Sequence, residues 1–138
     1  MDLEISTDQS SLDFDFIYNY LHGESYWAKG ISPEILKRAL TNSLCFGMYH
    51  KGKQMGFARV VTDRSTFGYL CDVFIELNYR GMGLSKKLLK SIFEHPELQG
   101  FRRWSLVTSD TQGLYAKFEF TELKNPEKWM EIFSPYKI

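Results

Sequence analysis

A single short segment constrains this chain more than any other. It is Arg80-Gly81-Met82-Gly83-Leu84-Ser85, set between a β-rich apolar run and an amphipathic stretch. Two glycines one residue apart permit a sharp bend, and Leu84, Leu88, Leu89, Ile92 and Phe93 then recur at helical spacing. Lys86, Lys87, Lys90 and Glu94 fall on the other face of that helix, and Pro96 marks its end. A strand, a bend and a helix start in this order predict a domain of mixed strands and helices. They also predict an anion site, because the first-turn amides of a helix have no intrahelical partner and carry the positive end of its dipole. Glycines let a phosphate approach the main chain, and Arg80 adds a cation at the entrance. Ser85-Lys86 does not complete a Gly-x-x-x-x-Gly-Lys-Ser/Thr loop, and no third glycine completes Gly-x-Gly-x-x-Gly. A nucleoside triphosphate or a dinucleotide is therefore disfavoured as the ligand.

Around this bend the hydrophobic pattern changes period several times. Leu3 and Ile5 alternate with polar residues as in a short strand. From Asp13 onward, Phe14, Ile17, Tyr18 and Leu21 define a helix that stops at His22-Gly23. A loop with Glu24, Tyr26 and Trp27 follows. Ser32 and Pro33 then open a second helix with the stripe Ile35, Leu36, Ala39 and Leu40. Next, Leu44, Phe46 and Met48 oppose Cys45, Gly47 and Tyr49 on the two faces of a strand. Turns at 50–53 and 63–66 separate it from strands at 54–62 and 67–77, which predicts an antiparallel meander. Beyond the helix after the bend, residues 101–108 read as a strand and 110–118 as a short helix. Residues 120–133 read as a last extended strand interrupted by Asn125-Pro126. The expected fold class is α/β (α+β), with a mixed, mostly antiparallel central sheet flanked by helices. A length of 138 residues fits a single domain, 1–138.

Composition narrows the classes of partner. The chain is 43% hydrophobic and 25% charged, the balance of a soluble globular domain. It has 17 basic and 17 acidic residues, so no overall field draws it to nucleic acid or to a membrane, and neither is an expected partner. Cys45 and Cys71 lie in apolar strand-like runs, without a CxxC pair or metal-ligand spacing to His22, His50 or His95. Both are expected to be reduced core residues, and no metal is expected. The N-terminal residues lack signal-peptide character and no apolar run reaches about 18 residues, so a cytoplasmic location is expected.

The pattern Arg80-x-x-Gly83-x-Ser85 resembles the acyl-CoA signature Gln/Arg-x-x-Gly-x-Gly/Ala of the GNAT superfamily of N-acetyltransferases. Ser85 replaces the usual small residue, and its hydroxyl can donate to a phosphate. Further on, the segment Ser109 to Phe120, which ends Tyr115-Ala116-Lys117-Phe118-Glu119-Phe120, resembles the family segment Tyr-x-Lys-x-Gly-Phe, with Glu119 in place of Gly. The resemblance covers nearly the whole domain and implies a GNAT-like fold with acetyl-CoA as cosubstrate. It implies acetyl transfer to a primary amine, a small molecule or a peptide, by direct attack in a ternary complex. By the same resemblance, the main chain of Arg80, Gly81, Met82, Gly83, Leu84 and Ser85 holds the pyrophosphate of CoA. Val73, Phe74 and Ile75 hold the pantetheine arm as an added strand, and an amide near Val73 meets the oxyanion. Tyr115 takes the place of the general acid beside the thiolate; a phenol with a pKa of about 10 is protonated at neutral pH.

The remaining candidates come from the residues themselves. Asp72 is the only carboxylate inside the apolar part of its strand, and such an acid needs either a partner or a purpose. It is the candidate general base, with structural hydrogen bonding as the alternative; Glu24 and Glu76 are further candidates. Glu24, Tyr26 and Trp27 would suit a cationic amine through ring faces and a carboxylate, and a hydrophobic plug beneath the loop is the competing reading. Aromatic residues in the C-terminal segment make a homodimer a reasonable expectation. A non-catalytic acyl-CoA-binding sensor or accessory module is the alternative to an enzyme. The acceptor pocket is built of loops, so the sequence does not name the amine.

Overall fold

Two of the longer helices begin on side-chain caps. In the computed structural model, which describes residues 1–137, the Asp13 side chain accepts from the Phe16 N–H at 3.1 Å at the start of α1 (Phe14–Gly23). Ser32 accepts from the Ile35 N–H at 3.2 Å at the start of α2 (Pro33–Thr41), with Pro33 in the first turn. The third, α3 (Leu84–Phe93), begins on Gly83 with no side-chain cap.

The strands are β1 (Leu3–Ser6), β2 (Leu44–His50), β3 (Lys53–Thr62), β4 (Phe67–Ile75) and β5 (Arg103–Ser105), and they lie in that order across one sheet. The first four pair antiparallel with their neighbours, and β5 runs parallel to β4. Asp63 fixes the β3–β4 turn by accepting from the amides of Thr66 and Ser65 and from the Thr66 hydroxyl. Those bonds hold its carboxyl well below the usual carboxylate range.

Period-two alternation sends side chains into a layer on each face. Leu44, Phe46 and Met48 of β2 pack with Leu84, Leu88, Leu89 and Ile92 of α3. Cys45 faces the opposite layer, with Ile17 and Leu21 of α1 and Leu36 and Leu40 of α2. Each fully buried Leu or Ile contributes about 1.5–3 kcal/mol, so the sheet is held from both sides by stripes readable in the sequence.

The C-terminal part departs from expectation. β5 covers three residues rather than 101–108, and the short helix α4 is Gln112–Ala116. No sixth strand forms over 120–133; a 3-10 turn at Pro126–Lys128 breaks the segment, and Phe120 packs against Phe93 at 5.7 Å. A strand needs a partner along its length; β5 offers an edge of only three residues, and Pro126 within the segment has no amide to pair. No helix among the described residues is long and apolar enough to cross a membrane.

Candidate active site

The parallel pairing of β4 with β5 stops at Tyr69–Ser105. Beyond it β4 continues to Ile75, while the other chain turns away toward α4, so residues 70–75 have an edge with no strand beside it. At the same place β4 carries a bulge: Phe57 pairs with Phe74 but Arg59 with Cys71, leaving Asp72 and Val73 opposite the single residue Ala58. Asp72 occupies the left-handed region at φ 54°, which costs a non-glycine residue on the order of 1 kcal/mol. The bulge puts Leu70, Val73 and Ile75 in the layer facing α3 and Phe74 in the layer facing α1.

Just after β4, Gly81 and Gly83 have φ values of 79° and 74°, and a Cβ built on either would meet nothing within 4 Å. The bend therefore delivers an uncapped helix start to open space, the geometry in which first-turn amides bind an anion. A hollow of about 330 Å³ lies there, with Ile75, Arg80, Gly81, Gly83, Leu84 and Ser85 among the residues around it, and Leu114 of α4 closes one side. Lys86 also borders it. Lys117 lies close to Lys86, and that like charge draws the Lys117 ammonium below its ordinary value. Met82 is half exposed outside the hollow. Arg80 is tied back: its Nε donates to the Ile75 carbonyl at 2.9 Å and its guanidinium to the Tyr20 hydroxyl at 3.2 Å.

Of the other expected site residues, Val73 and Phe74 turn their side chains into the core. Phe74 stacks on Tyr20 at 4.0 Å, so only its main chain is available to a ligand. Tyr115 is buried at 9% exposure on α4. Burial pushes its phenol above the ordinary value, with smaller contributions from Tyr26 and Asp110. Tyr26 crosses from the loop after α1 to accept the Ser109 N–H at 3.2 Å, and hydrogen bonding to Ser109 draws its phenol downward. Its ring meets Trp27 edge-on at 5.0 Å. Trp27 in turn donates its indole N–H to Asp72 Oδ1 at 2.8 Å, while Arg59 Nε reaches Asp72 Oδ2 at 2.8 Å and Arg59 also donates to the Ser43 hydroxyl. Both oxygens of Asp72 are thus engaged. Tyr26, Trp27 and Asp72 form one chain of contacts, and Tyr26 lies near enough to Tyr115 to help raise its phenol, whereas the Glu24 side chain is exposed and has no ion pair among the described residues.

Arg59, Tyr20 and Ser109 were not among the residues singled out from the sequence. Arg59 left a usable signal: it is a lone cation within the apolar run Phe57-Ala58-Arg59-Val60, in the strand next to Asp72. Tyr20 and Ser109 left none, since their roles arise only when distant segments meet.

Neither cysteine is arranged as a nucleophile. Burial pushes Cys45 to about 11 and Cys71 to about 12, and both thiols are free. At neutral pH, iodoacetamide should label both roughly 100-fold more slowly than an exposed thiol, and denaturation should abolish the difference. Alkylation followed by mass spectrometry checks this. Among the described residues, no group of His, Cys, Asp or Glu is placed to hold a metal ion.

The parallel pair of strands that stops short and the uncapped helix start thus set an open strand edge beside a candidate anion site. The chain belongs to the acetyltransferase (GNAT) family, whose family model matches residues 14–120. It is similar to a GNAT-family protein of known structure from Xanthomonas campestris pv. campestris, at 45% identity and a TM-score of 0.96, covering 98% of this chain and 95% of that one. A Gibberella zeae protein named as a candidate acetyltransferase is 34% identical over 84% of this chain and 77% of its own length. A Clostridium acetobutylicum protein solved with acetyl-CoA shares the fold at 15% identity and a TM-score of 0.65, covering 96% of this chain and 95% of that one.

Proposed function

We propose that the chain transfers an acetyl group from acetyl-CoA to a primary amine by direct attack in a ternary complex. The observation that carries this reading is the uncapped α3 start, with two left-handed glycines, placed directly beyond the unpaired edge of β4. The first offers amides to a pyrophosphate, and the second offers main-chain groups to an amide-bearing arm lying alongside as an extra strand. Lys86 adds a cation beside the hollow.

Acetyl-CoA supplies an activated thioester; the protein has to bind it, stabilise charge on the carbonyl oxygen while the neutral amine bonds to the carbonyl carbon and the carbon–sulfur bond breaks, and give a proton to the departing thiolate, the proton shed by the amine nitrogen passing to water and so restoring the donor. Tyr115 Oη holds that proton, since burial keeps the phenol protonated through the neutral range. An amide of β4 near Val73 is the oxyanion donor in this reading. Asp72 serves as a positioning residue rather than as the base, because its two oxygens are held by Trp27 and Arg59. Through Trp27 it fixes the aromatic wall with Tyr26, whose ring faces suit a cationic amine.

Calorimetry with CoA, ATP and NAD tests the cofactor reading, and only CoA should bind tightly. CoA release across polyamines, arylalkylamines, amino acids and peptides tests the transfer; if no amine accelerates it, the enzyme reading fails. Gly83→Val should raise the KM for acetyl-CoA at least about 10-fold, because it places a branched side chain at φ 74° in the anion site. An unchanged KM would remove the loop from the cofactor site.

A further inference from the structure

We propose that the acceptor is a small amine that also carries a carboxylate, an amino acid, and that Arg59 and Tyr69 hold this carboxylate while the amine is acetylated. The proposal rests on the acetyl-transfer reading above and names the second substrate by class.

The strand register brings the groups together. Arg59 pairs with Cys71 and Val61 with Tyr69 across β3 and β4, while Tyr69 pairs with Ser105 and Phe67 with Arg103 across β4 and β5. Paired residues point to the same side of a sheet, so Arg59, Val61, Tyr69, Ser105 and Arg103 share one face. Arg59 and Tyr69 are diagonal neighbours on it, within reach of each other's long side chains. This is the face opposite α3, since Val60 and Leu70, which alternate with them, lie in the layer packed on that helix.

Helices α1 and α2 cover only part of this face. Cys45, Phe57 and Phe74 pack beneath them, whereas Val61 is 40% exposed and Val107, two residues past Ser105, is 83% exposed. The sheet surface beside the Asp72 bulge is therefore open to a small molecule, and Trp27, which donates to Asp72 there, borders it.

The polar groups on this face are not spent on one another. Arg59 gives Nε to Asp72 and one terminal nitrogen to Ser43; its other donors have no partner among the described residues, and its side chain is 19% exposed. The Tyr69 hydroxyl has none either. Burial raises its phenol, with smaller contributions from Cys71 and Asp72, so it keeps its proton and stays a donor at neutral pH. Ser105, its register partner, has a buried Oγ without a partner among the described residues. Donors without acceptors beside the bulge call for an anion, and a planar guanidinium with a phenol hydroxyl matches a carboxylate. The acids nearby do not supply it. Both Asp72 oxygens are held by Arg59 and Trp27, and Glu131, the weakest of the charges felt at Tyr69, makes no ion pair among the described residues. The carboxylate takes no part in bond making: the amine nitrogen bonds to the acetyl carbon, the thiolate leaves, and the product is an N-acetylamino acid.

The test compares each of a series of α- and ω-amino acids with its own carboxamide, in CoA release by the full chain at saturating acetyl-CoA. At least one amino acid should exceed its carboxamide about 30-fold or more in kcat/KM, and Tyr69→Phe, which removes a single oxygen, should cut that ratio about 10-fold. Arg59→Lys keeps a counter-ion for Asp72 but loses the planar fork, and it should cut the ratio as well. A purely structural role for either residue would lower both rates together and leave the ratio alone. Calorimetry of the protein with N-acetylamino acids and their carboxamides reads the same preference without turnover, and the acid should bind at least about 10-fold more tightly. Carboxamides or diamines that match or surpass the amino acids overturn the proposal, as does a ratio that survives both substitutions, or acids that neither react nor bind. Transfer to amines without a carboxylate would then leave the acetyltransferase reading standing. Selective binding of acids with no transfer to any amine would sink that reading and support the carboxylate site.

Discussion

Tyr115→Phe is expected to lower kcat for acetyl transfer about 100-fold, while the KM for acetyl-CoA and the melting temperature change little. The substitution removes one oxygen and keeps the ring that packs in the core and meets Phe120 edge-on at 6.0 Å. In the proposed reading, what it removes is the proton donor to the thiolate. Because burial raises the phenol above its ordinary value, the acid stays protonated through the neutral range and loses its proton at a more alkaline pH than a free phenol does. The wild-type rate should therefore fall on an alkaline limb displaced upward from that of a free phenol, and the Phe variant should lack that limb. Steady-state CoA release across pH measures both effects. An unchanged kcat would remove Tyr115 from the chemistry, and the absence of any transfer by the wild type would favour a non-catalytic acyl-CoA binder.

Asp72→Asn should destabilise the fold by about 3 kcal/mol and lower the melting temperature by about 10 °C. Asn keeps the shape of the side chain and tolerates the left-handed backbone, so the substitution isolates the lost charge. Arg59, whose side chain is 19% exposed, then has its guanidinium without a counter-ion. Arg59→Met alone should be costly for the mirror-image reason, and the double variant should lose clearly less than the sum. Strict additivity in thermal unfolding would show that the pair is not a unit. The KM for the amine should rise in Asp72→Asn through the lost Trp27 contact; a collapse of kcat at unchanged KM would instead make Asp72 the base.

Local signals predicted much of this fold because they act locally. Ser32-Pro33 starts α2 as expected, and the alternation of Leu44, Phe46 and Met48 against Cys45 divides the two core layers. Gly81 and Gly83 mark the bend before α3 because their conformation is one that few other residues adopt. Features that depend on distant partners were not legible. The bulge at Asp72 has no local composition signal, and the Tyr26–Ser109 bond joins segments 83 residues apart. The extended reading of 120–133 failed because apolar alternation shows what a segment can do, while a strand also requires an edge long enough to receive it.

The bulge also acts as a phase shift. A straight strand would give even spacing to residues sharing a face, yet Leu70 shares its layer with Val73 and Ile75, three and five positions later. Removing one residue at position 72 would restore the even frame and rotate everything downstream by half a period. Phe74 would then be driven toward α3, and Ile75 toward Tyr20 and Phe16. β4 is thus intolerant of single-residue insertion or deletion although one of its edges lies open: the shift keeps two core layers in register along a strand that is paired on one side only beyond Tyr69.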